Sequence, residues 1–238
     1  MTGARSLSIS EDRIRVLPWR GDPHLAYLVA RRGRPTEGML LSCLADLRGR
    51  YAGVLTAALP PEEQGPYLRT GFAVHERLHL LRRPVEPLPD VGPTAGHLAR
   101  GRRRDRPKVL AIDAAAFPDF WRLDAVGLED ALAATPSVRF RVATTDGAGP
   151  AGYAVTGRAG SRGYLQRLAV HPDQQGQGIG SALVVDGMRW LRRWGAREVL
   201  VNTQEDNAGA LSLYERLGFE REPDGLAVLR RELEVADP

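Results

Sequence analysis

Hydrophobic residues in this chain switch repeatedly between a spacing of two and a spacing near 3.6, so strands and helices are expected to alternate. Ser8 to Val16 is strand-like and Ala26 to Ala30 is a second apolar run. Thr36 is placed to cap a helix from Glu37 to Arg48, in which Cys43 sits among Met39, Leu40, Leu41, Leu44 and Leu47. Tyr51 to Leu59 reads as a strand. Pro60 and Pro61 open a short helix that ends near Gly71, and Phe72 to Leu81 reads as a strand again.

Residues 84–96, PVEPLPDVGPTAG, carry four prolines and little periodicity, which marks a linker. Beyond it, His97 to Arg104 is expected to be a strand. Arg106 to Phe117 and Leu123 to Ala134 are expected to be helices. Val138 to Thr144, Gly152 to Gly157 and Tyr164 to Val170 follow as strands, joined by Gly-rich hairpin turns at 145–150 and 158–163. Ile179, Leu183, Gly187, Trp190, Leu191 and Trp194 share one helical face that Gly195 terminates. Glu198 to Thr203 is a strand, Asn207 caps a helix from Ala208 to Leu217, and Leu226 to Leu233 is the last strand.

The two stretches echo each other. Tyr67-Leu68-Arg69-Thr70-Gly71-Phe72 lines up with Tyr214-Glu215-Arg216-Leu217-Gly218-Phe219 at an offset of 147, which also sets Val54 on Val201. An internal half-repeat follows. Its first copy has lost chemical features: Pro60 stands where Asn207 would be, Leu55 opposite Asn202, and Arg31-Arg32-Gly33-Arg34-Pro35 is no Gly-x-Gly turn.

Composition narrows the class. The chain has 238 residues, 43% of them apolar, as in globular proteins. One cysteine, Cys43, excludes an internal disulfide, and its helical apolar neighbours make it a core residue. Neither a signal-peptide core nor a run of about 20 apolar residues is present, so a cytoplasmic location without membrane insertion is expected. The formal charge is +4. The one dense basic run, Arg100 to Arg106, reads as a solvated sheet edge, and nucleic acid is not an expected partner. No metal site is expected.

The candidate chemistry lies between Leu165 and Phe219. Glycines at 176, 178 and 180 stand at the mouth of a helix, where free N–H groups and the helix dipole favour a phosphate. Q-x-x-G-x-G (Gln175, Gly178, Gly180) followed by N-x-x-A-x-x-L-Y-E-x-x-G-F (Asn207, Ala210, Leu213, Tyr214, Glu215, Gly218, Phe219) resembles the GNAT superfamily of N-acetyltransferases, over about residues 95–235. The resemblance implies a mixed, mostly antiparallel α/β sheet flanked by helices. It also implies a degenerate half-unit at 1–83, a linker at 84–96 and a complete catalytic domain at 97–238.

The resemblance further implies acetyl-CoA as the cofactor. Its pyrophosphate is expected on Gln175, Gly176, Gln177, Gly178, Ile179, Gly180 and Ser181, and its pantetheine arm along Leu168, Ala169 and Val170, with Asn207 binding the arm. Tyr214 matches the family's general acid. The family's usual glutamate is missing: the strand before the Gly turn offers Gln166 and Arg167, and Asn202 stands where N-terminal alanine acetyltransferases carry Glu. Glu205 is taken as the base, with Asp206, His171 and Tyr164 as further candidates acting through water. An α-amine, with a pKa of about 8, needs less help than a lysine at about 10.4. Direct attack in a ternary complex is expected, since no residue looks like an acyl carrier. The acceptor stays open between a protein amine and a small amine. A non-catalytic acyl-CoA sensor is the alternative, and a homodimer through the half-unit is compatible with the chain.

Overall fold

The computed structural model describes residues 14–20, 22–30, 33–92, 96–145 and 149–233. Residues 8–13 of the expected first strand and 146–148 of the expected hairpin turn lie outside these. By packing, the chain forms two compact units, Met1–His79 with Pro223–Pro238, and Leu80–Glu222.

In the first unit, β1 (Ile14–Trp19) and β2 (Asp22–Ala30) form an antiparallel pair. Helix α1 (Glu37–Leu47) starts at Thr36, whose hydroxyl accepts from Met39 N at 3.3 Å. Strand β3 (Gly53–Thr56) then lies parallel to β2, paired from Leu25–Gly53 through Leu28–Thr56. Helix α2 (Pro61–Arg69) leads into β4 (Ala73–Pro84). The strand order is β1-β2-β3-β11-β4, where β11 is Leu226–Glu232.

That last strand corrects the expected domain division, which kept 97–238 together. β11 pairs antiparallel with β3 and with the first half of β4. Ala227, Leu229 and Leu233 are buried in one core with Leu40, Leu44, Val54, Tyr67 and Phe72. The unit needs the strand because β3 and β4 are not neighbours; β11 fills the slot between them.

In the second unit the order runs from the second half of β4 through β9 (Glu198–Gln204), β8 (Arg162–Val170), β7 (Gly149–Ala159) and β6 (Ser137–Thr145) to β5 (Gly96–Arg100). β8 and β9 are parallel, while β7–β8, β6–β7 and β5–β6 are antiparallel. Two residues of β10 (Glu220–Arg221) pair with β4. Helix α5 (Ile179–Arg193) packs Leu183, Met188 and Leu191 into a core shared with α6 (Ala208–Arg216). Helices α3 (Arg106–Ala116) and α4 (Ala125–Ala133) bury Val109, Ile112 and Leu128 in a second core with Val142, Tyr153 and Val155.

Three expectations change in detail. The first strand of this unit ends at Arg100 rather than Arg104, because the Asp105 carboxylate accepts from Arg102 N at 2.7 Å and turns the chain. Trp194 is not on the buried face; it ends α5 and is 57% exposed. The proline-rich stretch after β4 is not a free linker: Val85 is buried, Val85 N donates to Arg197 O, and Arg83 donates to the carbonyls of Pro84 and Pro87.

The half-repeat is present in the fold. Adding 147 to the bounds of α2 gives those of α6, and the first residue of β4 maps onto the first of β10. Each copy holds an antiparallel pair, a helix, a parallel strand, a second helix and a closing strand.

Candidate active site

The cleft is set by where two parallel strands stop pairing. β8 and β9 are matched only at Arg162–Glu198, Gly163–Val199 and Tyr164–Leu200. Immediately beyond, β8 carries a bulge: Leu165 faces Thr156 and Arg167 faces Val155, leaving Gln166 as the extra residue. A bulge bends the strand that bears it. Leu168, Ala169 and Val170 therefore keep β7 on one side and have no registered partner on the other. An amide-rich arm laid into such a gap finds free backbone groups at strand spacing.

At the end of β8 the chain turns into α5. Gly176 and Gly178 both have φ of 77°, the left-handed region open to glycine. Gly178 is the N-cap and offers no side chain. The first amide to bond back into the helix is Ala182 N, to Gly178 O at 3.0 Å, so Ile179, Gly180 and Ser181 keep their N–H groups outside the intrahelical ladder. No acidic residue lies in the first turn. Gly180 passes close to α6: a Cβ there would sit 3.2 Å from Leu213 Cδ2. Gln175 belongs to the turn itself. Its N–H donates to Pro172 O and its side chain to Val170 O at 3.3 Å, so the open amides begin after it.

Asn207 caps α6, its Oδ1 accepting from Ala210 N at 3.0 Å, and its side-chain amide nitrogen has no described partner. One and two turns on, Leu211 and Tyr214 are buried. Tyr214 is 5% exposed and packs on Phe219 at 5.6 Å between ring centroids. Its hydroxyl bonds to no described residue and is not sealed from solvent. Burial raises its pKa, and the Arg167 guanidinium opposes this more weakly, so the phenol keeps its proton at neutral pH. Glu205 and Asp206 are exposed in the turn before Asn207. His171 Nδ1 accepts from Asp173 N, and the His171 backbone N–H donates to Ala151 O. Tyr164 is half-buried at the last paired position of β8.

Sequence reasoning missed a buried network beside this cleft. Asp113 of α3 is fully buried and accepts four hydrogen bonds. Arg167 Nε and Nη2 donate to it at 2.7 and 2.8 Å, Tyr153 OH at 2.5 Å and Leu123 N at 2.7 Å. Arg167 also donates to Trp121 O at 2.7 Å and lies 3.5 Å over the Phe117 ring. One carboxylate so joins α3, the segment leading to α4 and the bulged strand. Burial, then the adjacent carboxylate, pushes the Tyr153 hydroxyl pKa far up, so it stays a donor. An aspartate at the inner edge of an apolar helix face was the available signal.

Comparison with known proteins agrees with this geometry. The model of the acetyltransferase (GNAT) family matches residues 106–219. A mycothiol acetyltransferase of Rhodococcus jostii is 32% identical over 86% of this chain and 74% of its own length. One from Thermobispora bispora is 32% identical over 84% and 74%. Among solved structures, a tandem GNAT protein from the clavulanic acid biosynthesis pathway superposes with a TM-score of 0.65 at 16% identity, covering 94% of this chain and 79% of that one. An acetyltransferase from Novosphingobium aromaticivorans gives 0.63 at 18% identity, with 94% and 91% covered. These two establish likeness of fold. With the split strands, the uncapped glycine turn and the Asn207–Tyr214 helix in place, the chain belongs to the acetyltransferase (GNAT) family and is an N-acetyltransferase.

Proposed function

We propose that the protein transfers the acetyl group of acetyl-CoA to a primary amine by direct attack, with both substrates bound together. The observation that carries this reading is the pairing of an uncapped, acid-free α5 N-terminus with a β8 edge left open beyond Tyr164. The amides of Gly176 to Ser181 are suited to hold the pyrophosphate, and the exposed edge of Leu168, Ala169 and Val170 to hold the pantetheine amides. The Asn207 amide nitrogen binds the same arm in this reading, while its oxygen caps α6. Bound there, acetyl-CoA supplies an activated thioester carbonyl with a fairly good thiolate leaving group. A β8 amide near Val170 polarises the carbonyl. Tyr214 delivers a proton to the departing sulfur, a role its raised pKa suits because the proton is present when needed. Glu205, exposed in the β9–α6 turn, takes the amine proton through water.

The curated relatives named as mycothiol acetyltransferases support amine acetylation in general and leave this chain's acceptor open. No described helix is long and apolar enough to cross a membrane.

Calorimetric titration with acetyl-CoA tests the reading. Micromolar affinity, about −8 kcal/mol, is expected for the parent protein and should disappear in Gly178→Asp, which puts a carboxylate at the phosphate cradle. No heat of binding in the parent protein would sink the proposal.

A further inference from the structure

Arg167 has a donor that the fold does not use. Its side chain is 10% exposed. Nε and Nη2 are committed to Asp113 and to Trp121 O. Nη1 donates to no described residue, yet it is not sealed from solvent. The guanidinium is held rigidly, clamped by two carboxylate oxygens on one edge and stacked on Phe117. Asp113 is spent on its own four donors and has nothing left for a ligand. The guanidinium lies over Phe117, and Nη2 bonds the backbone carbonyl of Trp121, whose ring meets Phe120 edge to face at 5.2 Å; all three aromatics are half-buried. Arg167 sits three residues past the last β8–β9 pair, on the opened part of the strand. Its charge is felt at the Tyr214 hydroxyl.

We propose that Arg167 Nη1 receives a carboxylate of the acceptor, and that the acceptor is a free amino acid whose apolar side chain lies against Phe117, Phe120 and Trp121. The inference rests on the acetyl-transfer reading above and names its substrate class. A fixed guanidinium nitrogen with no acceptor is complementary to a carboxylate, and the bond is charge-assisted on both sides. A polyamine finds no uncommitted carboxylate in the Asp113–Arg167 network. A protein N-terminus presents an amide carbonyl at the corresponding place, a weaker partner for the guanidinium. In the transfer, the α-amino nitrogen bonds to the acetyl carbon while the C–S bond breaks. One amine proton leaves to the base, and the thiolate takes one from Tyr214, giving the N-acetyl amino acid and CoA.

The test compares L-phenylalanine with phenethylamine, and L-leucine with isoamylamine, as acceptors. Acetyl-CoA affinity is measured in parallel by calorimetry. We expect kcat/KM to favour each amino acid over its decarboxylated partner by about tenfold or more. In Asp113→Asn/Arg167→Gln, which keeps the buried pair neutral, that ratio falls to about one while acetyl-CoA affinity is unchanged. Arg167→Lys, which keeps the charge and loses the fork, serves if the double variant melts early, and it should lower the ratio severalfold. A parent ratio near one, a ratio that does not move in the variants, or acetyl-CoA binding without acetylation of either amino acid overturns the proposal and leaves the cofactor site intact. Failure of the parent to bind acetyl-CoA overturns the underlying function instead.

Discussion

Tyr214 packs against Phe219 with ring centroids 5.6 Å apart, and 147 positions earlier Tyr67 and Phe72 stand in the same relation at 5.4 Å. The motif that ends α6 is thus first a packing device, used in both copies. β2 and β3 stay paired to the last residue of β3, α1 is capped by Thr36 with Glu37 in its first turn, and α2 begins at Pro60 without a side-chain cap. The opened strand edge, the acid-free helix start and the asparagine cap occur together in the second copy.

Replacing Tyr214 by Phe keeps the ring contact and removes the hydroxyl proposed to donate the proton. We expect kcat to fall by about 10²-fold, with acetyl-CoA affinity and melting temperature nearly unchanged. Because burial raises the phenol's pKa, the parent enzyme should show no alkaline loss of kcat from this group below about pH 10. Equal rates in the two proteins would remove Tyr214 from the mechanism.

Asp113→Ala leaves Arg167 as a buried charge and strips Leu123 N of its acceptor. Urea denaturation should show a loss of about 3–5 kcal/mol. Adding Arg167→Met should restore a large part of that loss, since an apolar pair replaces an orphaned ion.

Asp186 of α5 accepts from both Arg139 and Arg141 of β6, with Arg139 Nε at 2.7 Å and Arg141 Nε at 3.0 Å. Burial alone would raise its pKa; the two guanidiniums outweigh burial and hold it below the usual carboxylate range. A carboxyl lowered on folding contributes stability above its unfolded pKa, about 3.9, and loses it as pH falls through the lower folded value. Asp186→Asn should therefore cost about 2 kcal/mol at pH 7. The difference from the parent protein should shrink near pH 3. A gap of constant size across that range contradicts the assignment.

Cys43 is fully buried on α1, and burial, then Asp46, pushes its thiol up to about 11. Native protein at pH 8 should not react with a thiol reagent within the hour, while unfolded chain titrates one thiol. Rapid labelling of the folded protein would contradict the packing of that core.

Much of this was legible in the sequence, because the informative signals are local. Thr36, Asn207 and the glycines at 178, 195 and 218 mark helix ends within a few residues. The half-repeat was visible as one constant offset. What escaped reading depends on distant partners. Nothing around Asp113 announces Arg167, 54 positions away, and the bulge at Gln166 shows only in register with β7. The proline-rich stretch after β4 looked free because its anchor, Arg197 O, lies far along the chain.

The placement of β11 between β3 and β4 has a consequence for synthesis on the ribosome. The strand that completes the first unit is translated after every residue of the second. The early segment must therefore wait, with the facing edges of β3 and β4 uncovered, while some 140 later residues are made and folded. Nascent chains arrested before Leu226 should be protease-sensitive up to His79, and a fragment ending there should be recovered in soluble form only when a peptide spanning β11 is supplied.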